Sequence, residues 1–158
     1  MVKQIVLAFF GSIFPAILFN IDRKKIIWGG FCGAIGWTAY LVVYNHINSN
    51  VMAYFSGAFI VGIYSEFMAR KLKTPAVEFS IPGIFPLVPG ITAYKTISYI
   101  VDQNYSLAYS KGMQTIAAAG AIGFGIMLSS TTFRFITMIM ESNRENKINK
   151  KSSSSNRV

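Results

Sequence analysis

Five apolar stretches, each close to the length of a bilayer crossing, divide this 158-residue chain. They run from Ile5 to Ile21, Ile26 to Tyr44, Val51 to Met68, Phe79 to Val101 and Gly112 to Phe133. Three carry no charge, the third holds only Glu66 and the fourth only Lys95. A helix needs roughly 20 residues to cross a hydrocarbon core of about 30 Å. Within lipid it satisfies its own backbone, which irregular chain cannot do. With 53% hydrophobic and 13% charged residues and a mean hydropathy of +0.44, a soluble core of this size would leave much apolar surface uncovered. The sequence predicts an all-α integral membrane protein of about five transmembrane helices. Residues 1–136 form the transmembrane domain, and residues 137–158 form a basic, disordered tail.

The formal charge of +9 is informative once located. Six of the 15 basic residues lie from Arg134 onward, and six more form two clusters, Arg23-Lys24-Lys25 and Arg70-Lys71-Lys73. Clusters between apolar runs read as topology signals, not as a nucleic-acid footprint, so no nucleic-acid partner is expected. If basic loops stay in the cytoplasm, Asp22 to Lys25, Arg70 to Lys73 and the tail are inside, while Asn45 to Asn50 and Asp102 to Ser110 are outside. The expected protein is multi-pass in the cell membrane, with its N-terminus outside and its C-terminus cytoplasmic. Were Phe79 to Val101 to dip in and return, the positive tail would emerge outside, so parity favours a crossing. The tail then meets anionic membrane lipid. Basic residues follow the first apolar run where a signal peptide would place them ahead of it, and no small-residue cleavage site follows, so this run is read as retained.

Catalytic and metal chemistry find little footing. One cysteine, Cys32, and one histidine, His46, cannot build a disulfide or a metal cluster. No phosphate-cradling loop with its lysine, Ser/His/Asp set or paired intramembrane carboxylates occurs, so neither an enzyme nor a cofactor is expected. Small residues four apart, Gly29 and Gly33, Ala58 and Gly62, Ala119 and Gly123, and Ala121 and Gly125, suggest faces for close helix packing.

The fourth run breaks its own pattern. Pro82, Pro86 and Pro89 each lack an N–H and clash with the preceding turn, while Gly83 and Gly90 add backbone freedom. Three prolines within eight residues predict a discontinuous helix, not a kinked one. Such a segment is tolerated where protein or a wet cavity covers it, and transporters use it to offer backbone groups to substrate.

These residues also carry a resemblance. IYSEFMARKLKTPAVEFSIPGIFPLVPGITAY, Ile63 to Tyr94, and AILFNIDRKKIIWGGFCGAIGWTAYLV, Ala16 to Val42, resemble the small five-helix subunit of the threonine/serine exporter family, equivalent to the C-terminal half of the fused exporters. The resemblance runs from about Gly11 to Ile136. It implies export of threonine, serine or, in some members, small dicarboxylates such as succinate, driven by protons or the membrane potential. It also implies a larger five-helix partner subunit. An odd number of crossings agrees with this, since a unit fused before this one would be inverted, a common transporter plan.

Within that frame the substrate path falls to Pro82, Gly83, Pro86, Pro89 and Gly90, with Tyr94 one turn beyond. Free N–H groups at a half-helix start suit a carboxylate. Asn20 matches the family's Phe-Asn pair, as a gate or as a cap. Glu66 is a coupling candidate because an intramembrane acid is functional by default; the alternative is an ion pair with Arg70, four residues on. Lys95 either attracts an anion or snorkels to the interface. Two rival roles remain, a non-transporting membrane scaffold subunit and a homo-oligomeric channel.

Overall fold

The computed structural model describes the backbone of residues 1–155 and the side chains of residues 1–139. Among them the chain is helical throughout, with no strand: α1 Val2–Leu18, α2 Arg23–Ile47, α3 Asn50–Leu72, α4 Val77–Ile84, a 3-10 turn at Phe85–Leu87, α5 Gly90–Val101 and α6 Tyr105–Ser155. Helices α2, α3 and the 35 residues Tyr105–Ile139 of α6 are long and apolar enough to cross a membrane. The pair Val77–Leu87 and Gly90–Val101, bent by 50°, makes a fourth candidate. The first apolar run forms α1, whose 17 residues extend about 26 Å at 1.5 Å per residue, at the short end of what a crossing takes. The fold is an all-α membrane protein with its fourth span broken.

Helix ends follow from local chemistry. Asn20, Asn48, Lys73 and Gln103, at φ 54, 56, 53 and 57°, are the non-glycine residues with left-handed backbone, and each lies just past a helix C-terminus. Asparagine tolerates that conformation best. The outer loop expected at Asp102 to Ser110 shrinks to three residues, because the Asn104 carboxamide accepts a hydrogen bond from the Leu107 N–H (3.4 Å) and starts α6 there. At the other end α6 passes the expected boundary at residue 136 and continues to Ser155. Most of the tail expected to be disordered therefore falls where only the backbone is described, and 156–158 lie outside the described residues.

The register of the bundle can be read from its contacts. Gly29 meets Ala16 and Gly30 meets Phe9 and Ile13, so α1 and α2 are antiparallel. Cys32 faces Val61 and Ser65 while Tyr40 packs at a tilt against Tyr54, so α2 and α3 are antiparallel too. Gly125 approaches Phe55, and Arg70 bonds Thr137, making α3 and α6 parallel. Element α4 lies against α1, α2 and α3, running parallel to α2 from Lys25–Glu78 to Gly36–Leu87. The buried cluster of Cys32, Ala58, Val61, Leu87 and Ile122 sits where α2, α3, the break and α6 meet. Lipid removes most of the hydrophobic drive between helices, so this contact rests on close packing.

The small-residue pairs divide accordingly. Gly29 and Gly33 face α1 and the proline motif, and Gly62 and Gly125 face each other's helices, whereas nothing approaches Gly123. Helix α5 buries no residue and packs against α6, with Thr96 beside Gly112. At the basic end of α3, Arg70 lies 5.4 Å from the Phe133 ring centre and Lys71 lies 5.6 Å from that of Trp28.

Candidate functional site

The seam between α1, α2 and the proline motif is where the fold departs from regular helix. Pro82 is accommodated inside α4, since a single proline removes only one helical bond. The ladder fails at Phe85 to Pro89. There the carbonyls that prolines would orphan are recaptured by tighter bonds, Phe85 N–H to Pro82 O and Val88 N–H to Phe85 O (3.3 Å). The motif thus releases fewer acceptors than three prolines suggest. Gly90 N–H bonds back to Val88 O (2.8 Å) and Ala93 N–H to Pro89 O (3.1 Å). The Ile91 and Thr92 amides at the start of α5 have no backbone acceptor among the described residues.

Small side chains let the motif approach. A Cβ on Gly83 would lie 2.6 Å from Cys32 Sγ and 2.9 Å from Val61 Cγ1, so only glycine brings α4 this close to α2 and α3. A Cβ on Gly33 would collide with Ser12 Oγ and lie 3.3 Å from Pro86 Cγ. A Cβ on Gly29 would lie 3.6 Å from Pro82 Cβ and 3.8 Å from Ala16 Cβ, ordinary van der Waals contact, so the seam is close but less tight there. These contacts close the middle of the seam.

A hollow lies on either side of this plug. Toward the Asn48 end, a groove of about 280 Å3 is lined by Gln4, Leu7, Ala8, Gly11, Trp37, Phe85 and Pro86. Two buried polar atoms beside it, Ser12 Oγ and Trp37 Nε1, have no hydrogen-bond partner among the described residues. Toward the basic end, a hollow of about 250 Å3 is lined by Phe19, Asn20, Ile21, Asp22, Lys25 and Glu78. Here Lys25 Nζ donates to Glu78 Oε2 at 3.0 Å and pairs with Asp22 Oδ2 at 3.0 Å.

The residues anticipated from sequence separate. Pro82 and Gly83 are buried in the seam, Pro86 lines the groove, and Asn20 lines the hollow at the basic end. Pro89 caps α5, and Gly90 begins it in open space. Tyr94 is 72% exposed on α5, away from both hollows. Glu66 is half-buried on α3 and lines neither hollow. Among the described residues no ion pair joins it to Arg70, which turns to Thr137 and Phe133 of α6. Ser12, Trp37, Lys25 and Glu78 were not anticipated. A serine inside an apolar run gives no local signal, and Lys25 and Glu78 are 53 residues apart.

A multi-pass helical protein whose broken span is packed between two hollows has the design of a membrane transporter. The chain belongs to the threonine/serine exporter family: it matches the family described as Threonine/Serine exporter, ThrE, over residues 4–132. An uncharacterised protein of Haemophilus influenzae is 24% identical over 127 residues, which cover 75% of this chain and 42% of that protein. The chain thus spans less than half the length of that relative. No solved structure matches it.

Proposed function

We propose that this chain is one half of a secondary exporter of small hydroxylated amino acids, threonine or serine, and that a larger five-helix partner subunit supplies the other half. The observation that carries the reading is the plug of Gly29, Gly33, Pro82 and Pro86 between two hollows on one seam. A path closed in the middle and open at each end suits alternating access, in which rocking of one unit against another exposes a central site to one side at a time. The unpartnered Ser12 hydroxyl and Trp37 indole N–H, buried beside the groove, are donors for a substrate's hydroxyl and carboxylate once the seam opens. Family membership supports the transport class. That more than half of the Haemophilus influenzae relative lies outside the match supports a missing partner portion. In this reading Asp22 to Lys25 and Arg70 to Lys73 are cytoplasmic and the N-terminus is outside.

The test is efflux of labelled threonine, serine and succinate from cells lacking their own exporters, expressing this chain alone or with its candidate partner. Threonine or serine efflux only with both is expected. Succinate efflux instead would make it a dicarboxylate exporter, efflux from this chain alone a homo-oligomeric channel, and no efflux from inserted protein a scaffold. Pro86→Ala supplies the missing N–H, regularises the break and should lower export several-fold at unchanged membrane level. Undiminished export would remove the broken helix from the path.

A further inference from the structure

The Lys25–Glu78 pair is the polar tie between the start of α2 and the start of α4, and it stands at a hollow. We propose that Lys25, Glu78 and Asp22 form an admission site for a zwitterionic α-amino acid, which opens this pair and frees the first half of the broken span. The proposal rests on the exporter reading and adds to it the residues that admit the substrate and the reason they favour it over a dicarboxylate.

The geometry gives three charges within reach of one ligand. Lys25 Nζ is 3.0 Å from both carboxylates, with side-chain exposures of 18% for Lys25, 29% for Glu78 and 73% for Asp22. The tie is sheltered enough to matter, yet open on the Asp22 side. The adjoining hollow of about 250 Å3 holds a small amino acid with hydration water, at about 30 Å3 per water. Asn20 lines it as well and presents both a donor and an acceptor for a substrate hydroxyl.

Removing one member of a sheltered ion pair strands the other, and that is where the penalty lies. A zwitterion avoids it. Its carboxylate takes Glu78's place on Lys25, and its ammonium takes Lys25's place on Glu78 and Asp22, so every charge keeps a partner while the tie between α2 and α4 is broken. A dicarboxylate satisfies Lys25 but sets its second carboxylate against two like charges, a repulsive element that gives specificity. Arg23 and Lys24 line a separate hollow with Asp22, Lys25 and Leu72, which includes no residue of α4. They attract anions to this end of the molecule without choosing between them at the tie.

Releasing Glu78 acts directly on the plug. Helix α4 has eight residues and carries Pro82 against Gly29 one turn beyond Glu78. A shift of its first turn therefore reaches the closed middle of the seam without an intervening flexible segment.

The experiment is efflux of labelled threonine and succinate by this chain with its partner, comparing wild type with Glu78→Gln, Glu78→Asp and Lys25→Gln at matched membrane levels. Wild type should favour threonine. Glu78→Gln should lower the threonine-to-succinate ratio at least fivefold, Glu78→Asp should retain most of it, and Lys25→Gln should reduce threonine export at least fivefold. An unchanged ratio in Glu78→Gln, or unchanged threonine export in Lys25→Gln, overturns the inference while the exporter reading stands. A wild type that exports succinate alone also overturns it, and export of neither compound brings down both.

Discussion

Gly33 and Ser12 show how little side-chain volume separates a closed seam from a broken one. The serine hydroxyl occupies the space that any Cβ at position 33 would need, and Pro86 stands behind it. Overpacking of this kind costs about 1–3 kcal/mol. Gly33→Ala should lower the thermal midpoint of the purified protein, and adding Ser12→Gly should restore most of the loss, because it removes the atoms that collide. Equal midpoints for the two variants would mean that the seam yields elsewhere. The sequence marks Gly33 as a packing glycine through its spacing from Gly29, but it does not mark Ser12. Hydroxyls in membrane helices commonly bond the preceding turn, as Ser65 does to Val61 O at 2.7 Å, and only the fold separates the serine that does from the one that does not.

At the level of elements, the broken span was legible as a break and illegible in its details. Three prolines announce that a regular helix fails somewhere between Ser80 and Ile97. They do not say that Pro82 is absorbed within α4 while Phe85 to Pro89 takes the break, because that choice depends on which turn has α2 and α3 to lean on. The two glycines of the motif look alike in sequence and have opposite surroundings. Gly83 is wedged against Cys32 and Val61, both fully buried, and nothing lies within 4 Å of a Cβ on Gly90. Gly83→Ala should therefore destabilise the protein by about 1–3 kcal/mol. Gly90→Ala, at an ordinary negative φ, should stabilise it by about 0.4–1 kcal/mol by narrowing the unfolded ensemble. Thermal unfolding of the two variants side by side checks the signs, and a shared sign would refute this account. The same dependence on three dimensions explains why Glu78 carries no local signal in the sequence. It precedes the fourth apolar run by one residue, and its partner belongs to a different helix.

The whole molecule joins a bundle of α1, α2, α3, α4 and α6 to a sparsely supported α5. The parallel pairing of α3 with α6, and of α2 with α4, places Arg23 to Lys25, Arg70 to Lys73 and Glu78 at one end. This is the charge asymmetry read from the sequence, now gathered on one end of a packed object. Reporter fusions after Asn48 and after Lys73 should therefore report opposite sides, extracellular for the first and cytoplasmic for the second. The same side for both would invalidate the crossing of α3. Element existence was legible because each apolar run is long. Lengths were not, since the ends of α5 and α6 depend on the Asn104 cap and on an exposed hairpin.

The shortness of α1 has a mechanical meaning for the bilayer around it. Its 17 residues span about 26 Å against a hydrocarbon core of about 30 Å, and such a deficit is met by local thinning of the bilayer or by snorkelling of flanking residues, at fractions of a kcal/mol per Å. Because α1 is also one wall of the groove at Trp37, the strain of the surrounding lipid bears on the same surface that meets the broken span. On the exporter reading proposed above, thick membranes pull on this wall and thin ones relax it, which makes acyl-chain length a variable to which opening of the seam should respond.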